Sequence, residues 1–382
     1  MRNCIWEFYI YKEKNMDRVF NFNPGPSTLP VEALEKAAKD LVNYQGSGMS
    51  IMEHSHRGKE YEAVHNGAIA LIKELYKVPD NFDILFIQGG ASLQFAMIPM
   101  CFLRDGKKAL YVNSGTWSKK AIKEAKILGK TIEVIATSED TNFDRIPAIP
   151  EIKDTGDIDY VYITANNTIF GTEYADLPET NGVPLVIDAS SDALSKPVDW
   201  KNIGVLFAGA QKNIGPSGVT VAIVRKDLYE RENDKIPTML RYSTFAENNS
   251  LYNTPPTWSI YMVNLVMDWV KNTIGGLEKM AERNKNKAAL VYDVIDSSNG
   301  FYNGHAQKDS RSLMNITFTL GKDDAEGSLS KKFIEEAKAA GLYGLKGHRS
   351  VGGMRASTYN AMPVEGCEKL AAFMKDFAKA NS

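Results

Sequence analysis

The segment FAGAQKNIGPSGVT (residues 207–220) places one lysine, Lys212, in a run of small residues. The apolar run VLFAGA leads into this segment, and the apolar run VTVAIV leads out of it. Both runs are typical of buried strands. Gly209, Gly215 and Gly218 would let another molecule approach the lysine closely. Most lysines that follow a strand are solvated surface residues, but these surroundings favour an amine that faces a ligand.

Apolar runs and amphipathic stretches alternate on both sides of this segment. Runs such as ALYVN, YVYIT and PLVI are typical of strands buried on both faces, for which a parallel sheet is the usual setting. Stretches such as TWSKKAIKEAKILG have the spacing of helices, and the alternation indicates an α/β sheet. After about residue 255 two long helices precede a mixture of strands and helices. A chain of 382 residues is long for one core, so we expect two domains.

The predicted boundaries divide the chain into four parts. Residues 1–15, MRNCIWEFYIYKEKN, form an extension of unknown status without the small-residue cleavage site of a signal peptide. Residues 16–30 are expected to pack with the small domain. The large domain is predicted to span 31–272, and the small α+β domain to span 273–382.

Composition excludes several classes of protein. The net charge is −2 and no block of like charges occurs, which argues against a nucleic-acid-binding stripe or a membrane-binding face. No apolar run approaches the roughly 18 residues of a membrane span. Cys4, Cys101 and Cys367 are too few and too scattered for a disulfide framework or a zinc site. We therefore predict no metal, no nucleic-acid or membrane partner, and a cytoplasmic location.

Candidate functional groups follow the apolar runs. In open parallel sheets, ligands bind beyond the carboxyl ends of the strands. A helix start after one run offers free N–H groups for a phosphate, and an aromatic ring, a carboxylate and an amine follow other runs. These candidates are Ala91 and Ser92, Trp117, Thr168, Asp188, and Gln211 with Lys212.

Each candidate has a plainer interpretation when it is taken alone. Trp117 would serve equally as core, and Asp188 in DASSDALS would serve as a helix N-cap. Together, however, the candidates match pyridoxal phosphate, whose aldehyde needs a lysine and whose pyridine nitrogen needs a carboxylate. Its phosphate needs N–H donors and its ring needs a flat neighbour. The sequence therefore predicts this cofactor.

Seven longer motifs extend the pattern along the chain. They are FNFNPGPSTLP (20–30), SIMEHSHRGKEY (50–61), GGASLQF (89–95), NSGTWS (113–118), FAGAQKNIGPSG (207–218), LYNTPPT (251–257) and GHRSVGGMRASTYNAMP (347–363). With these motifs, nearly the whole chain from Met16 onward resembles the phosphoserine aminotransferases, a family of fold type I pyridoxal-phosphate enzymes. The resemblance implies a mainly parallel seven-stranded sheet in the large domain.

The resemblance also implies roles for single residues. Lys212 would bind the cofactor aldehyde, Asp188 would pair with the pyridine nitrogen, and Trp117 would stack on the ring. Thr168 would contact the ring substituents. The phosphate would be held by Ala91, Ser92 and Gln211, with Asn253 and Thr254 of a second subunit. The anionic groups of the substrate would be surrounded by His56, Arg57, His348, Arg349 and Arg355. Some family members have an arginine where this chain has Ala91-Ser92, which leaves the number of guanidinium groups around the substrate open.

The implied enzyme is a homodimer with shared active sites. It would convert 3-phosphohydroxypyruvate and L-glutamate to O-phospho-L-serine and 2-oxoglutarate in serine biosynthesis, and could serve a related step of vitamin B6 synthesis. Alternatives on the same fold are a serine–glyoxylate aminotransferase or a cysteine desulfurase, although Cys367 lies in a predicted helix. A nicotinamide-dependent oxidoreductase would need a G-x-G-x-x-G turn that GASLQF does not supply. A catalytically inactive binding protein on this fold is a further alternative.

Overall fold

The computed structural model describes residues 18–323 and 326–381. The predicted extension, residues 1–15, lies outside the described residues. In chain order, the strands of the described part are β1 (Phe20–Asn21), β2 (Phe82–Ile87), β3 (Lys108–Asn113), β4 (Ile132–Thr137), β5 (Ile158–Thr164), β6 (Asn166–Asn167), β7 (Thr172–Glu173), β8 (Leu185–Asp188), β9 (Ile203–Gly209), β10 (Thr220–Arg225), β11 (Tyr302–Gly304), β12 (Asn315–Leu320), β13 (Leu342–Tyr343) and β14 (Met354–Ser357).

Helices pack on both faces of the central sheet, and three more lie in the C-terminal part of the described chain. They are α1 (Val31–Asp40), α2 (Lys59–Tyr76), α3 (Gly90–Phe102), α4 (Thr116–Ile127), α5 (Tyr242–Glu247), α6 (Thr257–Asp268), α7 (Leu277–Asp296), α8 (Ser328–Ala339) and α9 (Val364–Asn381). In the described part of the chain, no helix combines the length and the apolar character that a membrane span requires.

The central sheet has seven strands in the order β2-β10-β9-β8-β5-β3-β4. Strand β10 runs antiparallel to both of its neighbours, and the other recorded pairings are parallel. The reversal follows from the short connection between β9 and β10, which returns the chain beside the strand that it has just left. The predicted α/β fold with a mainly parallel seven-stranded sheet is therefore confirmed.

Both faces of this sheet are buried, which explains the continuous apolar runs. Ile163 and Ile187 point into an apolar cluster shared with α1, α2 and α6. Tyr162 and Val186, their neighbours along the strands, point into a second cluster with α3, α4 and α5. This alternation is the normal consequence of the two-residue repeat of a strand.

The C-terminal part has its own antiparallel sheet, in the order β11-β12-β14. Helices α7, α8 and α9 pack against it in a third apolar cluster. Strand β13 pairs in parallel with β1, whereas β14 pairs with β12. The N-terminal strand thus joins the C-terminal elements, while the predicted domain boundary at residues 272 and 273 stays a prediction.

Candidate active site

A cavity of about 470 Å³ lies beyond the carboxyl ends of β5, β8 and β9. This is the edge at which the sequence placed the candidate groups. Most of the predicted site residues line it, namely Ala91, Ser92, Trp117, Thr168, Asp188, Gln211, Lys212, His348, Arg349 and Arg355. The fold therefore brings together residues that are up to about 260 positions apart in the chain, because the carboxyl ends of the parallel strands lie at the same edge of the sheet.

Lys212 projects into the centre of this cavity. Its Nζ donates a hydrogen bond of 2.6 Å to Thr168 Oγ1 and lies 5.6 Å from the centroid of the Trp117 ring. Desolvation lowers the pKa of Lys212 to about 8, with the charge of Asp188 opposing this change and that of Arg355 adding to it. Because desolvation disfavours an ammonium ion, this amine is available in its neutral, nucleophilic form near neutral pH.

The N-terminal segment holds the backbone around Lys212. Ser27 N donates to Gln211 O at 3.0 Å, and the Ser27 hydroxyl donates to Lys212 O. Gly25 has a φ of +141°, and a Cβ at this position would lie 3.3 Å from Lys212 Cγ. A side chain at residue 25 would therefore be strained and would crowd the lysine.

Asp188 ends β8 and faces Thr164, the last residue of β5. It is buried, and its Oδ1 accepts hydrogen bonds from Ser190 N (3.0 Å) and Ser190 Oγ (2.6 Å). Among the described residues none donates to Oδ2, which leaves this oxygen for a ligand. Burial raises the pKa of Asp188, against the opposing effects of Ser190 and Lys212. A turn, not a helix, follows β8, so the alternative N-cap role is wrong.

The start of α3 provides donors for an anion. The first hydrogen bond within this helix runs from Leu93 N to Gly89 O, so the N–H groups of Gly90, Ala91 and Ser92 have no helical partner. No acidic residue lies in the first turn of the helix. The positive end of the helix dipole and these N–H groups suit a phosphate.

The opposite side of the cavity is cationic. Arg355 on β14 is buried and donates from Nη1 to Thr168 O at 3.1 Å. The pKa of His348 is lowered, first by desolvation and then by the charges of Arg355, Arg349 and Lys120. These positive charges disfavour the protonated form of His348, and Arg355 also disfavours the ammonium form of Lys212. An anionic ligand would relieve this repulsion and would be bound here in preference to a neutral one.

The residues present fit pyridoxal phosphate. The cavity contains an amine of lowered pKa, a carboxylate with one unbonded oxygen, the N–H groups of a helix start and the flat ring of Trp117. Trp117 Nε1 and Arg355 Nε are buried and have no partner among the described residues, as expected for a site completed by ligands. The described residues do not bring three His, Cys, Asp or Glu side chains together as a metal site would.

Four predicted site residues lie outside this cavity. His56 Nδ1 and Thr254 Oγ1 are 3.2 Å apart, and Arg57, Asn253 and Thr254 are exposed. These residues form a separate group, which we call the 56/254 group. Within one chain, the structure does not bring them to Lys212.

Sequence reasoning missed several residues that the fold places in the cavity. They are Pro24, Gly25, Gly90, Thr116, Lys120, Thr164, Asn166, Ile169, Ser190, Ser191 and Ser350. The motif FNFNPGPSTLP contained a signal for Gly25, since a glycine between two prolines indicates an unusual backbone. Lys120 gave no comparable signal, because a lysine on an amphipathic helix such as α4 is normally a surface residue.

The desulfurase alternative does not fit the described cysteines. Cys367 lies on α9 and is fully buried, and burial raises its pKa to about 11. A nucleophilic cysteine needs an accessible thiolate. Cys101 is buried as well. Neither residue lines the cavity of Lys212.

The chain belongs to the class-V aminotransferase family, whose model matches residues 19–370. More particularly, it is 58% identical over 360 residues to the phosphoserine aminotransferase of Lysinibacillus sphaericus, covering 94% of this chain and 98% of that protein. The solved phosphoserine aminotransferase of Bacillus circulans subsp. alkalophilus superimposes with a TM-score of 0.91 at 52% identity, covering 96% of this chain and 99% of that one. The pyridoxal-phosphate-bound enzyme of Trichomonas vaginalis gives a TM-score of 0.88 at 41% identity, covering 94% and 100%. The predicted aminotransferase class is confirmed.

Proposed function

We propose that this aminotransferase transfers the amino group of L-glutamate to 3-phosphohydroxypyruvate, forming 2-oxoglutarate and O-phospho-L-serine in serine biosynthesis. The observation that carries the proposal is that two guanidinium groups, those of Arg349 and Arg355, line the same cavity as Lys212, together with the imidazole of His348. All the substrates are anions, and the phosphorylated ones carry the most negative charge. Relatives that are more than half identical to this chain are phosphoserine aminotransferases, which supports this choice of substrates.

Pyridoxal phosphate is the cofactor, as the sequence predicted. When bound, it withdraws electrons from the substrate Cα through its protonated ring. Asp188 Oδ2 would accept the N–H of that ring and keep its proton in place, while Ser190 orients the carboxylate through Oδ1. Trp117 would lie against the ring, and the N–H groups at the start of α3 would hold the phosphate.

Lys212 performs the proton transfer. Its neutral amine takes the proton from the substrate Cα, and its hydrogen bond to Thr168 sets its direction. Arg355 binds the α-carboxylate that glutamate and phosphoserine share, since its guanidinium is fixed on β14 and reaches Thr168. His348 and Arg349 then lie beside the distal carboxylate or phosphate.

Single-turnover measurements with separate substrates test this assignment. We expect phosphoserine to react about tenfold to a hundredfold more efficiently than serine, since a charged hydrogen bond contributes about 1.5–3 kcal/mol. Arg355→Leu should lower the kcat/KM of the glutamate and phosphoserine half-reactions alike. Lys346→Leu removes a positive charge from the adjacent loop outside the cavity and is the matched control. Efficient transamination of unphosphorylated serine by the parent protein would overturn the proposal.

We further propose that the active unit is a homodimer in which the 56/254 group completes the partner's site. Exposed apolar side chains lie close to this group in the chain, including Leu41, Val42, Met49, Met52 and Tyr252. Val42 is 79% exposed. Clusters of exposed apolar residues are typical of interaction surfaces. Arg57 and His56 would then reach the distal anion, and Asn253 and Thr254 the phosphate of the cofactor. A cytoplasmic location stays a prediction.

A further inference from the structure

Helix α7 carries a lysine that the reaction does not use directly. Lys287 is fully buried, and the titratable groups that act on it are Cys367 and Arg283, neither of which is a carboxylate. Burial lowers the pKa of Lys287 to about 7. An amine in the interior is unfavourable unless its N–H groups are bonded. The hydrogen-bond partners of Lys287 therefore indicate its structural role.

Three consecutive backbone carbonyls accept hydrogen bonds from Lys287 Nζ. The distances are 2.9 Å to Thr358 O, 2.6 Å to Tyr359 O and 3.4 Å to Asn360 O. An ammonium group has three N–H donors, so these carbonyls use its full capacity. We call residues 358–360, which lead from β14 towards α9, the 358–360 segment.

The 358–360 segment contacts the surroundings of Lys212 at two points. Asn360 N donates to Asn213 Oδ1 at 3.0 Å, and Asn213 directly follows Lys212. Tyr359 Oη donates to Pro24 O at 2.7 Å, next to the glycine that packs against the lysine side chain. The position of this segment thus determines the position of Lys212 from two directions.

Asn360 is bonded on its side chain as well. Asn284, one turn before Lys287 on α7, donates to Asn360 Oδ1 at 2.8 Å, and Asn360 Nδ2 donates to Leu194 O at 2.8 Å. Asn360, Asn284 and Asn213 are all buried. Asn284 Oδ1 has no partner among the described residues, but the other bonds link the three residues, and in such a buried network the loss of one member affects the others.

The same segment follows β14 directly, and β14 carries Arg355. We propose that Lys287 is a positioning residue: by binding the carbonyls of the 358–360 segment, it holds Lys212 and Arg355 at the spacing that cofactor and substrate need. The inference rests on the aminotransferase activity but not on which phosphorylated substrate is used. Its tests below do not depend on that substrate.

The first test compares Lys287→Met with Val291→Ala. The first variant removes the three donors and keeps the aliphatic stem, whereas the second removes apolar contacts from the buried cluster around α7 and is the control for general destabilisation. In the cofactor-free proteins, amide exchange at Ile214 and Gly215 should be about tenfold faster or more in Lys287→Met only. In the holoenzymes, the pH midpoint of the visible absorbance should shift by about half a unit or more in Lys287→Met only. Equal behaviour of the two variants would overturn the proposal.

Asn213→Ala is the second test. It tests the proposed link between the 358–360 segment and Lys212 even if Lys287→Met does not fold. This substitution removes the hydrogen bond between Asn360 N and Asn213 Oδ1 and leaves the residues of α7 unchanged. We expect the same shift of the absorbance midpoint and the same faster exchange at residues 214 and 215. The Asn360 amide loses its acceptor in this variant, whereas the Thr358 amide, which donates to Met314 O, should keep its protection. In glutamate half-reactions, Lys287→Met should also raise the KM, because Arg355 moves, whereas Asn213→Ala should mainly lower kcat. An unchanged midpoint in Asn213→Ala would refute the connection.

Discussion

At Lys212, burial and the neighbouring charges set the charge of one amine. Desolvation and Arg355 favour the neutral form, and Asp188 favours the ammonium ion. An ordinary lysine with a pKa of about 10.4 would be neutral in fewer than about one molecule in 10³ at pH 7. A pKa of about 8 raises this fraction to roughly one in ten. The site thus supplies a nucleophile without a separate general base.

The opposing effect of Asp188 gives a prediction at this scale. In cofactor-free protein, the rate at which pyridoxal phosphate is captured should rise with pH and level off above the lysine pKa of about 8, because only the neutral amine reacts. Asp188→Asn removes a negative charge that stabilises the ammonium form, so the pKa of Lys212 falls and the midpoint moves to lower pH. Stopped-flow absorbance measures this midpoint.

Asp192→Asn is the matched control, since this buried carboxyl makes a smaller contribution in the same direction. It should move the midpoint less than Asp188→Asn does. A midpoint that stays in place or rises in Asp188→Asn would contradict the electrostatic account. Lys212→Ala should abolish the adduct that borohydride traps.

At the scale of elements, the connection between β9 and β10 depends on a distant segment. The strands end at Gly209 and resume at Thr220, and Lys212 lies between them. Ser27 bonds the backbone of Gln211 and Lys212. The N-terminal segment thereby holds the β9–β10 loop in a conformation that the sequence of the loop does not determine by itself.

Gly25→Ala tests this arrangement. The new Cβ would lie 3.3 Å from Lys212 Cγ at a φ of +141°, so we expect a loss of about 1–3 kcal/mol of stability and weaker cofactor binding. Gly129→Ala is the control, because Gly129 also has a positive φ (+69°) but no atom within 4 Å of its Cβ position. It should lower the Tm and leave the cofactor Kd unchanged. Thermal unfolding and fluorescence titration with the cofactor measure both quantities, and equal Kd values in the two variants would contradict the role of Gly25.

Elements of this chain differ in how well their sequence predicts them. The buried strands and helix α4 were predicted because their apolar residues follow the periodicity of a regular element. The pairing of β13 with β1 could not be predicted, because the two strands lie more than 300 residues apart and no local pattern encodes such a pairing. The two residues of β6 and of β7 are too few for any periodicity.

At the scale of the whole molecule, the 56/254 group raises the question of assembly. His56 and Thr254 lie together at the surface, and neither lines the cavity of the same chain. A shared site would explain why substrate-binding motifs lie in two separate places. In a dimer with two-fold symmetry, each subunit would give this group to its partner's cavity.

Mixing two inactive variants tests shared sites. Lys212→Ala damages the site of its own subunit, whereas Arg57→Ala damages the partner's site. In a mixed dimer one site then has both defects and the other has none. Co-refolding the two variants should restore about a quarter of the parent activity if subunits exchange at random. Arg57→Ala mixed with itself is the control, and no recovery in the mixed sample, or full activity of a sedimenting monomer, would rule out the shared site.

The sequence by itself determined the α/β class, and it predicted the edge of the sheet where the cavity lies and ten of the residues that line it. It did so because buried strands, helix starts and an isolated lysine leave local patterns that depend on a few neighbouring residues. Only the tertiary structure showed which segments lie around Lys212. Gly25 contacts a lysine that is distant in the chain, and Lys287 binds backbone carbonyls, which every residue type possesses, so neither contact could be predicted from residue type. The separation of the 56/254 group from the cavity is likewise a property of the folded chain, because it depends on how whole elements are arranged in space.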